Sequence, residues 1–246
     1  MSIIYNHSQN LHTLVGPQAA MEHFFADNKP SSLLDVGCGN GTWLKAATDF
    51  GISDVLGVDG VNLPTDKLHI SPEKIRHQDL TKSWDLGKKF DVAICLEVAE
   101  HLDGEHAPKL VESLVRHSDK IYFSAACPGQ EGQHHVNCQW PTYWQELFNE
   151  RGFVCEDSLR WQIWNIPAIE PWYRQNIFIA RRDTASAGRE PRINAVLHPE
   201  MTAPVLPEKK QLEKYLKLIE NGHLSLTWYL KTPGVAFFKK LKRHLP

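Results

Sequence analysis

The sequence predicts an α/β fold: a doubly wound, mostly parallel seven-stranded sheet with helices on both faces and a C-terminal helical extension. Two observations carry this prediction. Short apolar runs alternate with segments of helical periodicity, as in sheets whose parallel strands are joined by crossover helices. The apolar run at 33–36 enters a glycine-rich turn at 37–41, and the run at 55–58 leads into Asp59. A strand, a glycine turn and an acidic strand end together indicate a nucleotide-like ligand at the carboxyl edge of the sheet.

The elements follow in order along the chain. Strands are predicted at about 33–36, 54–58, 74–78, 90–96, 120–124, 152–156 and 175–181. Helices are predicted at 16–28, directly after the glycine turn, from Pro108 onward, and at 142–151 between Pro141 and Gly152. Proline suits the first turn of a helix because its missing amide hydrogen has no intrahelical partner there, and glycine suits the end.

Composition indicates one sizeable domain with an appendage. The chain has 246 residues and a formal net charge of -2, with a pI near 6.7, which argues against a dedicated nucleic-acid binder. Its five cysteines are scattered without a C-x-x-C pair, so we expect reduced thiols and a cytoplasmic location. The N-terminal residues lack the pattern of a signal peptide, and no apolar stretch reaches the length of a membrane span.

Three regions are predicted. Residues 1–182 form the main domain, 183–208 a proline-rich linker, and 209–246 a basic amphipathic helical extension without an acidic residue after Glu220. Such an extension suits peripheral contact with an anionic membrane surface, and the alternative is that its aromatic face docks on its own domain.

The glycine turn departs from the dinucleotide fingerprint. The third glycine of Gly-x-Gly-x-x-Gly would stand where this chain has Thr42. Asp35 stands beside the turn, where a carboxylate would repel a pyrophosphate but could pair with an ammonium or sulfonium group. S-adenosylmethionine carries both groups and is the predicted cofactor.

With these strand ends in place, the chain resembles the class I S-adenosylmethionine-dependent methyltransferases over roughly residues 12–181. The resemblance implies a Rossmann-like sheet whose last strand is antiparallel. It also implies that Asp35, Gly37 and Gly39 approach the methionyl group and that Asp59 holds the ribose. The remaining predicted cofactor-binding residues are Asp79 and Leu80 at the adenine, and Leu96 and Glu97 at the border of the pocket.

The fourth strand runs into Glu97-Val98-Ala99-Glu100-His101. A helical turn there would place Glu97, Glu100 and His101 on one face. The loop after the fifth strand carries His135, and the two loops are neighbours at the carboxyl edge of a doubly wound sheet. Two carboxylates and two imidazoles can hold a divalent metal, Mg or Mn.

This segment resembles the Glu-x-x-Glu-His metal motif of small-RNA 3'-end ribose methyltransferases and ubiquinone-pathway catechol O-methyltransferases. Other methyltransferases have the same residues and bind no metal. The predicted catalytic residues are His135, Glu100 and His101, with His135 or Glu100 as general base if no metal is bound.

The predicted acceptor depends on the loop and the aromatic residues beyond it. His135-Val136-Asn137-Cys138-Gln139-Trp140 resembles a motif of bacterial methyltransferases associated with surface-glycan biosynthesis, which usually have Glu in place of Cys138. Two groups of aromatic side chains follow. We expect a core-facing helix stripe at Trp140, Trp144 and Phe148, and pocket walls at Trp161, Trp164, Trp172 and Tyr173.

The predicted function is methyl transfer to a hydroxyl of a sugar or glycan precursor. One alternative is a small-molecule O- or N-methyltransferase of secondary metabolism or the quinone pathway. The other is an RNA-associated or non-catalytic cofactor-binding module, whose RNA affinity would fall strongly with salt.

Overall fold

The computed structural model describes residues 13–26, 28–62 and 64–202, together with six single positions between 210 and 221. It contains the predicted seven-stranded sheet, in the order β3-β2-β1-β4-β5-β7-β6. The strands are β1 Ser32–Val36, β2 Asp54–Asp59, β3 Ile75–His77, β4 Val92–Leu96, β5 Lys120–Ser124, β6 Phe153–Glu156 and β7 Phe178–Arg182. β1 to β5 pair in parallel, whereas β7 is antiparallel to both β5 and β6. The predicted antiparallel last strand is therefore confirmed.

The centre of the sheet is fully covered. Every residue of β1 and β4 is buried, which is why β4 reads as a continuous apolar run and β1 departs from one only at Ser32 and Asp35. The chain order reverses between them, because β2 lies on one side of β1 and β4 on the other. Ligands of open α/β sheets bind outside the carboxyl ends of the strands at such a reversal.

The predicted helices form with shifted ends. They are α1 Val15–Phe24, α2 Thr42–Asp49, α3 Ala107–His117 and α4 Pro141–Asn149. Gly152 adopts a φ of +76° just beyond α4, and its N–H donates to Asn149 O at 2.9 Å. Two helices of six residues each, α5 Ser158–Ile163 and α6 Pro171–Asn176, were not predicted. Because α6 extends to Asn176, β7 begins at Phe178 rather than at 175.

Two apolar layers cover the two faces of the sheet. Phe123 belongs to the layer that includes α3 and α4, and its strand neighbour Tyr122 belongs to the layer that includes α1 and α2. Trp144 and Phe148 are buried in the first layer, as the helix stripe predicts, whereas Trp140 is 40% exposed at the start of α4. Burial of each large apolar side chain contributes about 1.5–3 kcal/mol to the free energy of unfolding.

Residues 183–198, here called the strap, differ from the prediction. They were expected to be linker, but the compact unit extends through His198. Ile193 is 4% exposed within the core. The Glu190 carboxylate accepts hydrogen bonds from Gln145 Nε2 at 3.0 Å and from the Cys155 N–H at 3.1 Å. The strap therefore belongs to the same compact domain as the sheet, and these long-range contacts hold it in place.

A second unit begins at Pro199 and includes α7 Pro199–Thr202. Most of the predicted extension at 209–246 lies outside the described residues, so its amphipathic helix stays a prediction. In the part of the chain that the structure describes, no helix is long and apolar enough to span a bilayer. The five cysteines are free thiols, as expected.

Candidate active site

The turn after β1 depends on its glycines. Gly37, Gly39 and Gly41 have φ values of +77°, +51° and +81°, a region that other residues rarely adopt. A Cβ at Gly37 would also lie 2.4 Å from Cγ2 of Val98. The Gly37 N–H donates to Val58 O at 2.8 Å. The turn therefore packs tightly against the ends of β2 and β4.

Asp59 closes β2 beside this turn and is 7% exposed. Its Oδ2 accepts the Gly39 N–H at 2.8 Å and its Oδ1 accepts the Val61 N–H at 2.7 Å. Each carboxylate oxygen has a second lone pair. The side chain lines a groove, so those lone pairs are available to ribose hydroxyls.

The groove is open to solvent, and the turn after β1 and the ends of β2 and β4 form its wall. Six of the eight predicted cofactor residues line it: Gly37, Gly39, Asp59, Leu80, Leu96 and Glu97. Trp43 and Val98 also line it and were not predicted. His101 stands on the same wall.

Two predicted cofactor residues are placed differently. Asp35 is buried beneath the turn and is not part of the groove wall. Burial raises the pKa of Asp35 well above its usual value, and the charge of Asp59 raises it further. Asp79 accepts hydrogen bonds from Thr81 Oγ1 at 2.6 Å and Lys82 Nζ at 2.9 Å, which lower its pKa to about 2. Its side chain is thus occupied within its own turn.

Glu97 follows β4 in a left-handed conformation with a φ of +55°. Its carboxylate accepts Gln130 Nε2 at 2.8 Å and Asn176 Nδ2 at 3.1 Å. Burial raises the pKa of Glu97 to about 7, although hydrogen bonds from Asn176, Gln130 and Ser124 oppose the rise.

Glu100, His101 and His135 come together. Glu100 and His101 lie on a 3-10 turn at Ala99–His101, and one ligand atom from each of the three residues lies within 4.8 Å of the others. Glu100 is fully buried, and neither carboxylate oxygen has a hydrogen-bond partner among the described residues. Burial raises the pKa of Glu100, and the nearby Glu97 adds to the rise. Such an unsatisfied buried carboxylate fits a cation site.

The two imidazoles are held by backbone carbonyls. His135 Nδ1 lies 2.9 Å from Gln130 O, and His101 Nδ1 lies 3.3 Å from His134 O. A carbonyl only accepts, so Nδ1 of His135 carries the proton and its Nε2 presents a lone pair. A Cβ at Gly132 would lie 2.2 Å from that Nε2. Burial and the nearby His135 together lower the pKa of His101 to about 4.

The predicted metal set also contained Glu97. In the structure Glu97 lies outside the group of three, because side-chain amides from the 128–140 loop and α6 occupy its carboxylate. Metal binding by Glu100, His101 and His135 stays a prediction.

The predicted acceptor residues of the 135–140 loop and of the aromatic segment beyond it do not line the groove. Asn137 is 4% exposed, and its Oδ1 accepts Gln139 Nε2 at 3.0 Å, so these two side chains pair with each other. Tyr173 is half-buried, with its hydroxyl 3.4 Å from Nε1 of the groove residue Trp43. None of the four predicted pocket aromatics is on the groove wall. Of these, Trp161 is 50% exposed and Trp172 is 36% exposed, and Trp164 packs against His198.

Sequence reasoning missed the amide residues around Glu97, namely Gln130, Gln175 and Asn176. The last two fall in the segment assigned to the final strand. Two consecutive amides directly before the apolar run at 177–180 were the available signal, because such side chains are rarely buried without specific partners.

These residues fit S-adenosylmethionine. The glycine turn admits a close ligand, Asp59 suits the ribose, and the half-buried Glu97 lines the same groove. The fold and the groove are those of an S-adenosylmethionine-dependent methyltransferase. The chain matches the methyltransferase domain family over residues 14–165 and belongs to that family.

One curated relative is a ubiquinone biosynthesis O-methyltransferase of Neisseria meningitidis serogroup C. It is 32% identical over 110 residues, which are 40% of this chain and 45% of that protein. The match therefore spans less than half the length of this relative.

Solved structures share the fold. Streptomyces venezuelae DesVI has a TM-score of 0.53 at 15% identity, covering 69% of this chain and 92% of that one. The sugar N-methyltransferase KedS8 from Streptoalloteichus sp ATCC 53650 has a TM-score of 0.53 at 16% identity, covering 70% and 88%. The methyltransferase domain of bacterial CtHen1-C has a TM-score of 0.50 at 14% identity, covering 70% and 100%.

Proposed function

We propose that this protein transfers the methyl group of S-adenosylmethionine to a hydroxyl of a sugar or glycan precursor, and that Glu100, His101 and His135 hold a divalent cation beside the acceptor. The observation that carries the proposal is the convergence of these three side chains next to the groove, with His101 belonging to both.

The chemistry requires an oxygen nucleophile. S-adenosylmethionine supplies a methyl group on a positively charged sulfur. As the oxygen–carbon bond forms and the carbon–sulfur bond breaks, the hydroxyl loses its proton and S-adenosylhomocysteine leaves. An alcohol is a weak nucleophile at neutral pH, so the site has to favour that proton loss. Without a bound cation, the lone pair on His135 Nε2 would accept the proton, and the bond from Nδ1 to Gln130 O orients the ring.

A divalent cation at this site would supply Lewis acidity and lower the pKa of a bound hydroxyl. Glu100 is suited to hold it, because its buried carboxylate has no hydrogen-bond partner among the described residues. Two imidazoles and one carboxylate leave open positions for acceptor oxygens, as a vicinal diol would provide.

A catechol-type phenol is the second candidate acceptor. The 32% identical relative named as a ubiquinone biosynthesis O-methyltransferase favours it, and the same three residues would address its two adjacent hydroxyls. The sugar acceptor is supported by the resemblance of the 135–140 loop to glycan-associated methyltransferases. A sugar N-methyltransferase also shares the fold.

The test is methyl transfer from labelled S-adenosylmethionine to sugar nucleotides, glycan fragments, catechols and RNA, with Mn²⁺ and with a chelator. We expect transfer to a sugar hydroxyl that the chelator abolishes. Glu100→Gln should lower turnover roughly 100-fold or more, the scale of acid–base and metal assistance, with unchanged affinity for S-adenosylhomocysteine.

The matched control is Glu105→Gln, which changes an exposed carboxylate on the neighbouring 3-10 turn and should leave turnover unchanged. Full activity in chelator and in His135→Gln would refute the proposed role of this cluster. Transfer only to catechols would select the second candidate.

A further inference from the structure

The groove has two carboxylates on its wall, Asp59 at the end of β2 and Glu97 at the end of β4. β1 separates these strands, and adjacent strands are about 4.8 Å apart. The carboxylates therefore stand on either side of the β1 turn, about two strand spacings apart. If Asp59 takes the ribose, the methionyl part of the cofactor points toward Glu97.

Two side-chain amides hold the carboxylate of Glu97. Gln130 Nε2 and Asn176 Nδ2 donate to it at 2.8 and 3.1 Å. Asn176 Nδ2 also lies 2.9 Å from Gln130 Oε1, and Asn176 Oδ1 accepts Gln175 Nε2 at 3.1 Å. The strap completes the network, because the His198 N–H donates to Gln175 Oε1 at 2.7 Å.

This hydrogen-bond network positions the carboxylate of Glu97. A carboxylate accepts about four hydrogen bonds, so with Gln130, Asn176 and Ser124 as its donors Glu97, which lines the groove, can accept one more. The amides also keep Glu97 out of the group formed by Glu100 and the two imidazoles. Asp35, the other carboxylate near the turn, is not part of the groove wall.

We infer that Glu97 binds the α-ammonium group of S-adenosylmethionine, that Gln130 and Asn176 are positioning residues for it, and that Glu97 does not ligate the cation. The inference rests on the proposed function for the identity of the cofactor. It divides the two acids of the Glu-x-x-Glu-His segment between methyl donor and acceptor: Glu97 serves the donor, and Glu100 serves the acceptor side.

Two ligands distinguish this role from a structural one. S-adenosylhomocysteine carries the α-ammonium group, whereas 5'-methylthioadenosine lacks the whole amino-acid part. By calorimetry, Glu97→Gln should weaken S-adenosylhomocysteine roughly 10- to 100-fold, the scale of a charge-assisted hydrogen bond. It should change the affinity for methylthioadenosine less than about twofold and leave Mn²⁺ affinity unchanged. Glu100→Gln should show the opposite pattern, losing Mn²⁺ and retaining S-adenosylhomocysteine.

Asn176→Ala tests the positioning role. It should weaken S-adenosylhomocysteine by roughly threefold to tenfold, the scale of one hydrogen bond, and leave methylthioadenosine unaffected. The matched control is Asn149→Ala, which removes an amide donor from Glu190 away from the groove. It should lower the melting temperature and change the affinity for neither ligand.

Three results would overturn the inference. The first is an equal loss of affinity for both ligands in Glu97→Gln. The second is a Glu97→Gln variant that loses Mn²⁺ binding and retains S-adenosylhomocysteine. The third is an Asn176→Ala variant that, like Asn149→Ala, changes the affinity for neither ligand. Failure of the wild type to bind S-adenosylhomocysteine would instead remove the cofactor assignment and the inference together. Absence of hydroxyl methylation, with the ligand contrast intact, would contradict only the proposed acceptor chemistry.

Discussion

At the end of β2, one carboxylate connects the glycine turn to the groove. Asp59 accepts the N–H groups of Gly39 and Val61 through separate oxygens, so it shapes the turn and also faces the ligand. Its position was predictable because an acidic residue directly after an apolar run must sit at the carboxyl edge of the sheet. The partners of Glu97 were not predictable, because they come from residues 33 and 79 positions further along the chain.

Replacement of Asp59 should weaken cofactor binding. Asp59→Ala removes the predicted ribose acceptor and releases two backbone amides, so we expect the affinity for S-adenosylhomocysteine to fall roughly 10- to 100-fold or more by calorimetry. The control is Asp54→Ala at the opposite end of the same strand, where the exposed carboxylate pairs with Lys88. Unchanged affinity in Asp59→Ala would exclude the groove as the cofactor site.

At the scale of elements, the strands were predictable and the shortest helices were not. The β1 and β4 runs are apolar because both faces are covered. α5 and α6 have six residues each, fewer than two turns, so neither can display a repeating apolar stripe. Their place is set by contacts with the strap, such as Arg160 Nη1 donating to Asn194 O at 3.0 Å.

His117 gives the end of α3 a pH-dependent contact. Its Nδ1 lies 2.6 Å from Ser113 O, so it donates there, and Nε2 accepts the Leu86 N–H at 2.8 Å. Burial lowers the pKa of His117, although Ser113 and Asp85 oppose the shift. The folded state thus favours the neutral ring. The contribution of His117 to the free energy of unfolding is complete above its pKa in the unfolded state, about 6.5. It is lost as the pH falls from there through the lower pKa of the folded state.

We therefore expect the free energy of unfolding to fall between pH 7.5 and 5 more steeply in the wild type than in His117→Gln, which cannot titrate there. Denaturant unfolding across this range measures the difference. His69→Gln, a change at an exposed histidine, should retain the wild-type slope. Identical slopes in the wild type and His117→Gln would contradict the assigned contacts.

At the scale of the whole molecule, the composition of the strap predicts a linker, whereas the strap is part of the compact domain. Pro191 and the absence of periodicity indicate linker, yet the compact unit extends to His198. The strap is ordered by pairings with α4, β6 and α6 that no local pattern encodes. The sequence therefore predicts the sheet and one wall of the groove, while long-range polar contacts set the outer boundary of the domain and the surroundings of Glu97.

Glu190 should be the main polar contribution of the strap to stability. It accepts Gln145 Nε2, Asn149 Nδ2 and the Cys155 N–H, so Glu190→Ala leaves buried donors unpaired. We expect a loss of about 2–4 kcal/mol in the free energy of unfolding, measured by denaturant titration. Glu150→Ala, at an exposed position next to α4, should cost less than about 0.5 kcal/mol. A small effect of Glu190→Ala would show that the strap is not held this way.

The central claim is that one groove binds the methyl donor while Glu100, His101 and His135 address the acceptor beside it. A crystal structure with S-adenosylhomocysteine and Mn²⁺, with anomalous data for the metal, tests it most directly. We expect the ribose on Asp59, the α-ammonium on Glu97, and an Mn²⁺ peak among Glu100, His101 and His135. A ligand bound outside the groove, or metal density only elsewhere, would contradict it.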